Sequence, residues 1–293
     1  MTETEDRIRA LPIWTGIRSI EPLSGGLSNE SYTVVDRAGK FVVRFMRDFP
    51  FHHVSRVREI MSTRAAHRAG FCPELVHAEP TVMVSRFIEG QTYAAADVLS
   101  DLPRVVDLTR RFHEQMILHV SGAGFAFWVF HVIRDYADTL RRGGHRLAGD
   151  LPGWLEVAEA LEAVQVPLPI VFGHNDLLPA NFLDDGRKLW LIDFEYAGFG
   201  TAMFDLAGIA SNAGFSDEQS EALLAAYFGE VTADLRGSHA AMQCASLLRE
   251  AMWSMVSELY LDAPGADYVE YTDENLAMLE NAVERYRSSF GKG

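Results

Sequence analysis

Cysteine is nearly absent: only Cys72 and Cys244 occur in 293 residues, both in apolar-rich segments. Two thiols cannot build a disulfide framework, so both are expected to be core thiols of a protein suited to a reducing compartment. Positive charge is also scarce. The 26 Lys and Arg against 41 Asp and Glu leave a net charge of -15, which repels a polyanion over most of the surface and argues against nucleic acid as a partner. Long hydrophobic runs are missing as well. The most apolar stretch, Gly122 to Ile133, is well short of the ~20 residues of a membrane-spanning helix, and Met1 to Asp6 is acidic where a secretory signal is basic. A cytoplasmic protein with no membrane partner is therefore expected. There is no internal repeat or low-complexity tract, and the oligomeric state is left open.

What is present is a hydrophobic content of 48%, enough to bury one large core or two modest ones. The first part of the chain predicts short strands at Ile17 to Pro22, Glu30 to Asp36 and Lys40 to Phe45, with Asp36-Arg37-Ala38-Gly39 as a hairpin turn. Val54 to Ala69 lacks Gly and Pro and places Val54, Val57, Ile60, Met61 and Ala65 at helical spacing, which leaves Arg56 and Arg58 as solvated helix charges. Strands near Leu75 to Ala78 and Val82 to Phe87 follow. Beyond Asp97 the pattern becomes helical, as in Leu102, Val105, Val106, Thr109, Phe112 and Met116, and again in Leu276, Leu279, Val283, Tyr286 and Phe290. One β-rich island, Pro169 to Tyr196, interrupts these helices with a hairpin turned by Asp184-Asp185-Gly186. The fold class expected is α+β and two-lobed: a small β-rich N-lobe over 1–88, then a larger, mainly helical C-lobe over 89–293, with a ligand cleft between them.

The island carries the chemistry. His174-Asn175-Asp176-Leu177-Leu178-Pro179-Ala180-Asn181, followed by Ile192-Asp193-Phe194-Glu195, fits the H-x-D-x-x-x-x-N pattern of kinase catalytic loops with a downstream metal-binding Asp. Phosphoryl transfer needs an acceptor for the substrate hydroxyl proton, for which Asp176 is suited. It also needs hard oxygen ligands for Mg²⁺ bridging the phosphates of ATP, for which Asn181 and Asp193 are suited. Pro179 favours an extended Leu178, so a shaped loop is expected there. Asp193 and Glu195 are expected on one strand, facing the same side. His174 is assigned a packing role. Upstream, Ser24, Gly25, Gly26, Leu27, Ser28 and Asn29 join two predicted strands, and such a loop lets backbone N–H groups approach phosphates. Arg44, in the strand Phe41 to Phe45, is the candidate phosphate-binding cation, with Glu59 on the next helix as its partner.

On these residues the chain resembles the choline/ethanolamine kinase family, within the wider aminoglycoside-phosphotransferase-like group of protein-kinase-like enzymes. The resemblance runs from Leu23 to about Tyr286 and is carried by Ser24 to Tyr32, Phe41 to Phe45, Gly173 to Phe182 and Leu191 to Tyr196. It implies the two-lobed fold, ATP and Mg²⁺, a catalytic base at Asp176, metal binding at Asn181 and Asp193, and a hinge at Arg86, Phe87, Ile88 and Glu89 against which adenine lies. It also suggests that Asp205 braces the catalytic loop.

The acceptor is less defined. A quaternary ammonium is bound by aromatic faces and carboxylates, and Glu250 and Trp253, three apart on a predicted helix, share one face. Tyr196, Tyr271 and Glu195 are the other candidates for binding the acceptor. Choline kinases typically carry two tryptophans three apart on that helix, whereas here Glu250 stands where one of them is expected, so the aromatic cage is incomplete. Trp128 is assigned to packing. The leading expectation is a small-molecule kinase acting on an amino alcohol of the choline/ethanolamine type. Other alcohols (an aminoglycoside, thiamine, homoserine or a sugar) and a non-catalytic nucleotide-binding module are the alternatives.

Overall fold

The structure, a computed structural model, describes residues 3–23, 30–122, 124–261 and 267–291. Ser24, Gly25, Gly26, Leu27, Ser28 and Asn29, assigned above to a phosphate-binding loop, lie outside the described residues. The chain begins with α1 (Glu3–Arg9), β1 (Ile17–Pro22), β2 (Glu30–Asp36), β3 (Gly39–Phe45), α2 (Arg56–Arg68), β4 (Leu75–Glu79) and β5 (Val82–Arg86). These strands form one antiparallel sheet in the order β1-β2-β3-β5-β4. Strand alternation gives the sheet two faces. Val34, Phe41, Val43, Val82 and Val84 bury one against Ile8 and Trp14. On the other, Arg44 is in register with Met83, and α2 covers that side by packing Ile60 on Met46 and Met83.

The sheet ends at Arg86, and β6 (Gln91–Thr92) already belongs to a different sheet. Gly90 lies between them at a close approach: a Cβ there would sit 2.4 Å from the carbonyl oxygen of Asp184. Then come α3 (Ala95–Ser100), α4 (Leu102–Gln115), α5 (Val129–Gly143) and α6 (Leu151–Ala163). The island follows as β7 (Ile170–Gly173), β8 (Phe182–Asp184), β9 (Leu189–Leu191) and β10 (Gly198–Thr201). Strands β6, β8 and β9 form one small sheet, and β7 pairs with β10 in another. The chain closes with α7 (Ala202–Asn212), α8 (Asp217–Phe228), α9 (Ala233–Tyr260) and α10 (Tyr268–Phe290).

The 28-residue α9 is the axis of the larger core, packed by α5, α6, α7 and α10. A second core places Phe112 of α4 among Phe71, Phe172, Phe182 and Phe194, directly beneath the island. Cys72 and Cys244 are free thiols buried in these cores. Among the described residues no helix is long and apolar enough to cross a membrane.

His52 and His239 are two of the five imidazoles buried among the described residues. His239 on α9 is 2% exposed and its Nε2 has no hydrogen-bond partner among the described residues. Burial lowers its pKa to about 4, and burial with the nearby Arg249 charge lowers that of His52 to about 3. In the unfolded chain both protonate below roughly pH 6.5, so between there and 4 the folded state binds fewer protons. Stability is then greatest above 6.5 and declines as pH falls through that window. Urea unfolding should give a lower midpoint at pH 5 than at pH 7.5, and His239→Gln should reduce the slope by up to one proton, about 1.4 kcal/mol per pH unit. An unchanged slope in the variant would contradict this assignment.

Candidate active site

The loop between β7 and β8 is held by a carboxylate from the next helix. Asp205, in the first turn of α7, accepts the backbone N–H of His174 at 2.8 Å and of Asn175 at 2.6 Å. His113 of α4 also donates to it from Nε2, at 2.8 Å, while His113 Nδ1 lies 2.7 Å from the Tyr227 hydroxyl. Burial alone would raise the pKa of Asp205, but the His113 hydrogen bond, the neighbouring imidazoles and the backbone N–H keep it below its ordinary value. A carboxylate with that many donors stays ionised and fixes the loop. Asn175 adopts a left-handed φ of 62°, which asparagine tolerates, and its amide donates to the Tyr196 carbonyl at 3.0 Å. Gly173 leaves room for this arrangement: a Cβ would lie 2.8 Å from Asn175 Oδ1 and 3.2 Å from Asp205 Oδ2.

His174 is structural, as its sequence context suggested. Its ring sits between Phe112 and Phe194, and Nε2 donates to the Ile192 carbonyl at 3.0 Å. Burial keeps it neutral by lowering its pKa. Leu178 is extended, with ψ of 149°, and Pro179–Asn181 then make one 3₁₀ turn. That turn aims Asn181 back at Asp176, whose carbonyl accepts from Asn181 Nδ2 at 2.7 Å. With the amide nitrogen so used, the Asn181 carbonyl oxygen is the atom left to meet a ligand.

Asp193 arrives differently from the expectation. β9 ends at Leu191, and Asp193 has a φ of 68°. It therefore shares no strand face with Glu195, and a left-handed backbone, not period-two alternation, aims it at the site. Its Oδ1 accepts from Arg44 Nη1 at 3.0 Å, and Arg44 is also ion-paired with Glu59.

The prediction for α2 also needs correcting. Val57, expected inside, is 65% exposed, whereas Arg56, expected in solvent, is 1% exposed. Arg56 Nη1 binds Glu59 at 2.5 Å and Glu195 at 2.9 Å. Arg58 donates to the His53 carbonyl and lies 3.6 Å from the centre of the Phe125 ring. The inner face of α2 is therefore partly ionic, because it meets carboxylates of the island as well as apolar side chains, and hydrophobic periodicity could not reveal this.

Beside Asp176 lies a cavity of about 210 Å³, lined among others by Asp176, Asn212, Arg249, Glu250, Tyr271 and Asn275. Burial pushes the Asp176 pKa well up, the Arg249 charge opposes this, and the carboxylates of Asp193, Glu250 and Glu195 add to it. Of the residues expected to bind the acceptor, the structure brings Glu250 and Tyr271 to this cavity, joined by a 2.9 Å hydrogen bond from the tyrosine hydroxyl. Trp253 and Tyr196 are not part of its lining. The Trp253 indole donates to the Tyr196 hydroxyl at 3.0 Å, and its ring packs 4.9 Å from that of His52. Glu195 is held by Arg56 instead. Trp128 packs at the core edge and donates to Glu162 at 2.6 Å. Of the residues expected to form a hinge, Arg86, Phe87 and Ile88 are half-buried and Glu89 is exposed. Arg86 binds Glu74 and the Ala38 carbonyl, and Lys40 lies over the Phe87 ring and binds Glu89.

Sequence reasoning missed Arg249. Its signal was an arginine on the apolar stripe of a helix, next to Leu248 and three before Met252, all three buried. His113 and Tyr227 were missed too, since nothing local ties them to Asp205.

A small sheet followed by a helical region, with an Asp/Asn loop braced by the next helix, defines the protein-kinase-like class of fold. The chain belongs to the phosphotransferase enzyme family, whose model matches residues 19–240. It is 28% identical to a choline/ethanolamine kinase family protein of Mesorhizobium loti, with a TM-score of 0.75 over 99% of both chains. The choline kinase LicA of Streptococcus pneumoniae shares the fold at 19% identity, with a TM-score of 0.79 over 97% of this chain and 98% of that one. Protein LicA of Haemophilus influenzae is 27% identical over 210 residues, which is 69% of this chain but only 61% of that protein.

Removing Arg56 would leave Glu59 and Glu195 short of a buried cation. Arg56→Ala should therefore cost about 3–5 kcal/mol of unfolding free energy, measured by urea titration at pH 7.5. A loss below about 1 kcal/mol would show that the buried pair is not structural.

Proposed function

We propose that the protein is an ATP- and Mg²⁺-dependent kinase that phosphorylates the hydroxyl of a small molecule, an amino alcohol of the choline/ethanolamine type being the acceptor its chemistry favours. One observation carries this reading: Asp176 lines a cavity of about 210 Å³, its carbonyl accepts from Asn181 Nδ2 at 2.7 Å, and the Asp193 carboxylate is near enough to help raise its pKa. A hydroxyl in the cavity gives its proton to Asp176 as its oxygen bonds to the γ-phosphorus, and the bond from that phosphorus to the β–γ bridging oxygen breaks to release ADP. The divalent ion, when bound, neutralises charge on the phosphates. The donor set fits it: Asn181 and Asp193 offer hard oxygens of the kind Mg²⁺ takes alongside phosphate and water. Among the described residues no group of three or more His, Cys, Asp or Glu could hold a metal without such help.

Arg44 is proposed to contact the α- and β-phosphates, with Glu59 fixing its position. The backbone from Arg86 to Glu89 is proposed to meet the adenine. The lobe boundary is proposed near Ile88, with residues 1–88 on the nucleotide side and 89–293 on the acceptor side, and Ser24 to Asn29 are proposed to bind phosphate. The acceptor is small, because about 210 Å³ lies below the roughly 300–1,000 Å³ of pockets that take drug-sized ligands. That volume disfavours an aminoglycoside. The lining holds two aromatics, Tyr271 beside Glu250 and Phe204, fewer faces than a cage around a quaternary ammonium offers.

Purified protein with ATP and Mg²⁺ should release ADP in the presence of one member of a panel of small amino alcohols. Asp176→Asn should lower that rate by roughly 10²–10⁴-fold. Turnover in the variant equal to that of the parent would remove Asp176 from the reaction.

A further inference from the structure

Helix α10 forms one wall of the cavity beside Asp176. Tyr271, Asn275 and Met278 line it, and their spacing of four and three places them on one stripe of the helix. Further along, Leu279, Ala282, Val283 and Tyr286 anchor α10 in the larger core. The first turns are attached mainly by polar groups instead. The Tyr268 ring packs edge-on against Trp253, and Tyr271 donates to Glu250. Thr272, which has no exposed surface, donates to Glu258 Oε1 at 2.7 Å and meets the Ser254 hydroxyl at 2.8 Å. Asp273 accepts from Arg146 Nη2 at 3.0 Å, and Arg146 also donates to Glu258, from Nε at 3.0 Å and from Nη2 at 3.3 Å.

Glu258, on α9, is the centre of these bonds. His145, just beyond α5, accepts the Leu147 N–H at Nδ1, so its proton is on the other ring nitrogen, and Nε2 donates to Glu258 Oε2 at 3.0 Å. One carboxylate, its side chain 10% exposed, thus joins the turn after α5 to the start of α10. Burial raises the Glu258 pKa, but the hydrogen bonds from Arg146, Thr272 and His145 hold it below its ordinary value. A carboxylate supplied with so many donors stays ionised and keeps its partners in one geometry. Glu258 is not itself among the lining residues.

We propose that Glu258 is a positioning residue for the acceptor: through Thr272, and through Arg146 to Asp273, it fixes the first turns of α10 and so places Tyr271 and Asn275 in the cavity wall. This rests on reading the cavity as the acceptor site and adds the group that sets one side of it. The apolar packing further along holds α10 against α9 whether or not this tie is made. Breaking the tie therefore leaves the helix in place and frees only its first turns. A wall that is no longer fixed binds the acceptor less tightly in the ground state and the transition state alike, and such a loss falls on KM with kcat unchanged. The nucleotide contacts proposed above use none of these residues, so the KM for ATP is unaffected.

The test measures kcat and separate KM values for ATP and for ethanolamine, N-methylethanolamine and choline as acceptors. Thr272→Val keeps the shape of the side chain and removes the hydroxyl that Glu258 accepts. It should raise the KM of the best acceptor about tenfold, with kcat and the KM for ATP within about twofold of the parent's. Glu258→Gln should raise it at least as far, and Thr272→Ser, which keeps the hydroxyl, should restore it. Melting temperatures show which variants are folded. Arg146→Met, in the partly exposed arm of the tie, should shift the acceptor KM in the same direction and decides the matter if the two buried variants do not fold. An acceptor KM unchanged in the folded variants, or raised equally by Thr272→Ser, overturns the role of Glu258 and leaves the kinase reading standing. A fall in kcat alone, which a merely structural tie would give, overturns it too. No turnover of any of the three alcohols by the unaltered protein overturns the reading of the cavity, and the proposal falls with it.

Discussion

Glu59 is a carboxylate with no exposed surface, and two arginines reach it, Arg44 from the sheet and Arg56 from its own helix. Each arginine then extends to a carboxylate of the β-rich island, Arg44 to Asp193 and Arg56 to Glu195. One buried charge thus ties the N-terminal sheet to the loop that carries Asp193. Buried ion pairs stabilise little beyond a packed apolar alternative, but breaking one exposes the full desolvation cost of what remains. The network is therefore better understood as fixing position than as adding stability. It sets where Asp193 stands relative to Asp176 and Asn181, and the proposed chemistry depends on that placement.

A second fixed carboxylate, Asp205, does the corresponding work within the larger region. Two backbone N–H groups and His113 converge on it, and this offsets the left-handed turn at Asn175. The loop therefore has its shape before any ligand arrives, which lowers the cost of binding one in a productive geometry. Burial of Asp176 and its neighbouring carboxylates raise its pKa, and the Arg249 charge restrains that rise. The same arginine also lines the cavity beside Asp176.

Much of this was legible in the sequence, for local reasons. The strands at Ile17–Pro22 and Glu30–Asp36 fall where alternation placed them, and the extended Leu178 follows from steric conflict with Pro179. The spacing of Asp176, Asn181 and Asp193 was legible because the residue types and intervals are set by phosphate chemistry. What escaped depends on contacts across the chain. Arg56 looked solvated because its partners are a helix turn and 139 residues away. Asp193 looked like a strand residue because a left-handed φ leaves no mark in composition. Trp253 looked like a candidate ligand-binding ring, and the hydrogen bond its indole N–H gives Tyr196, 57 residues away, left no local trace.

The central claim is that Asp193, delivered by the Arg44–Glu59 pair, and Asn181, aimed by the Pro179 turn, serve one divalent ion within reach of Asp176. Crystals grown with Mn²⁺ and a non-hydrolysable ATP analogue would test this by anomalous diffraction. The account predicts one strong peak at coordination distance, roughly 2.1 Å, from both the Asn181 carbonyl oxygen and an Asp193 carboxylate oxygen. A peak bound to neither residue, with nucleotide present, would contradict it.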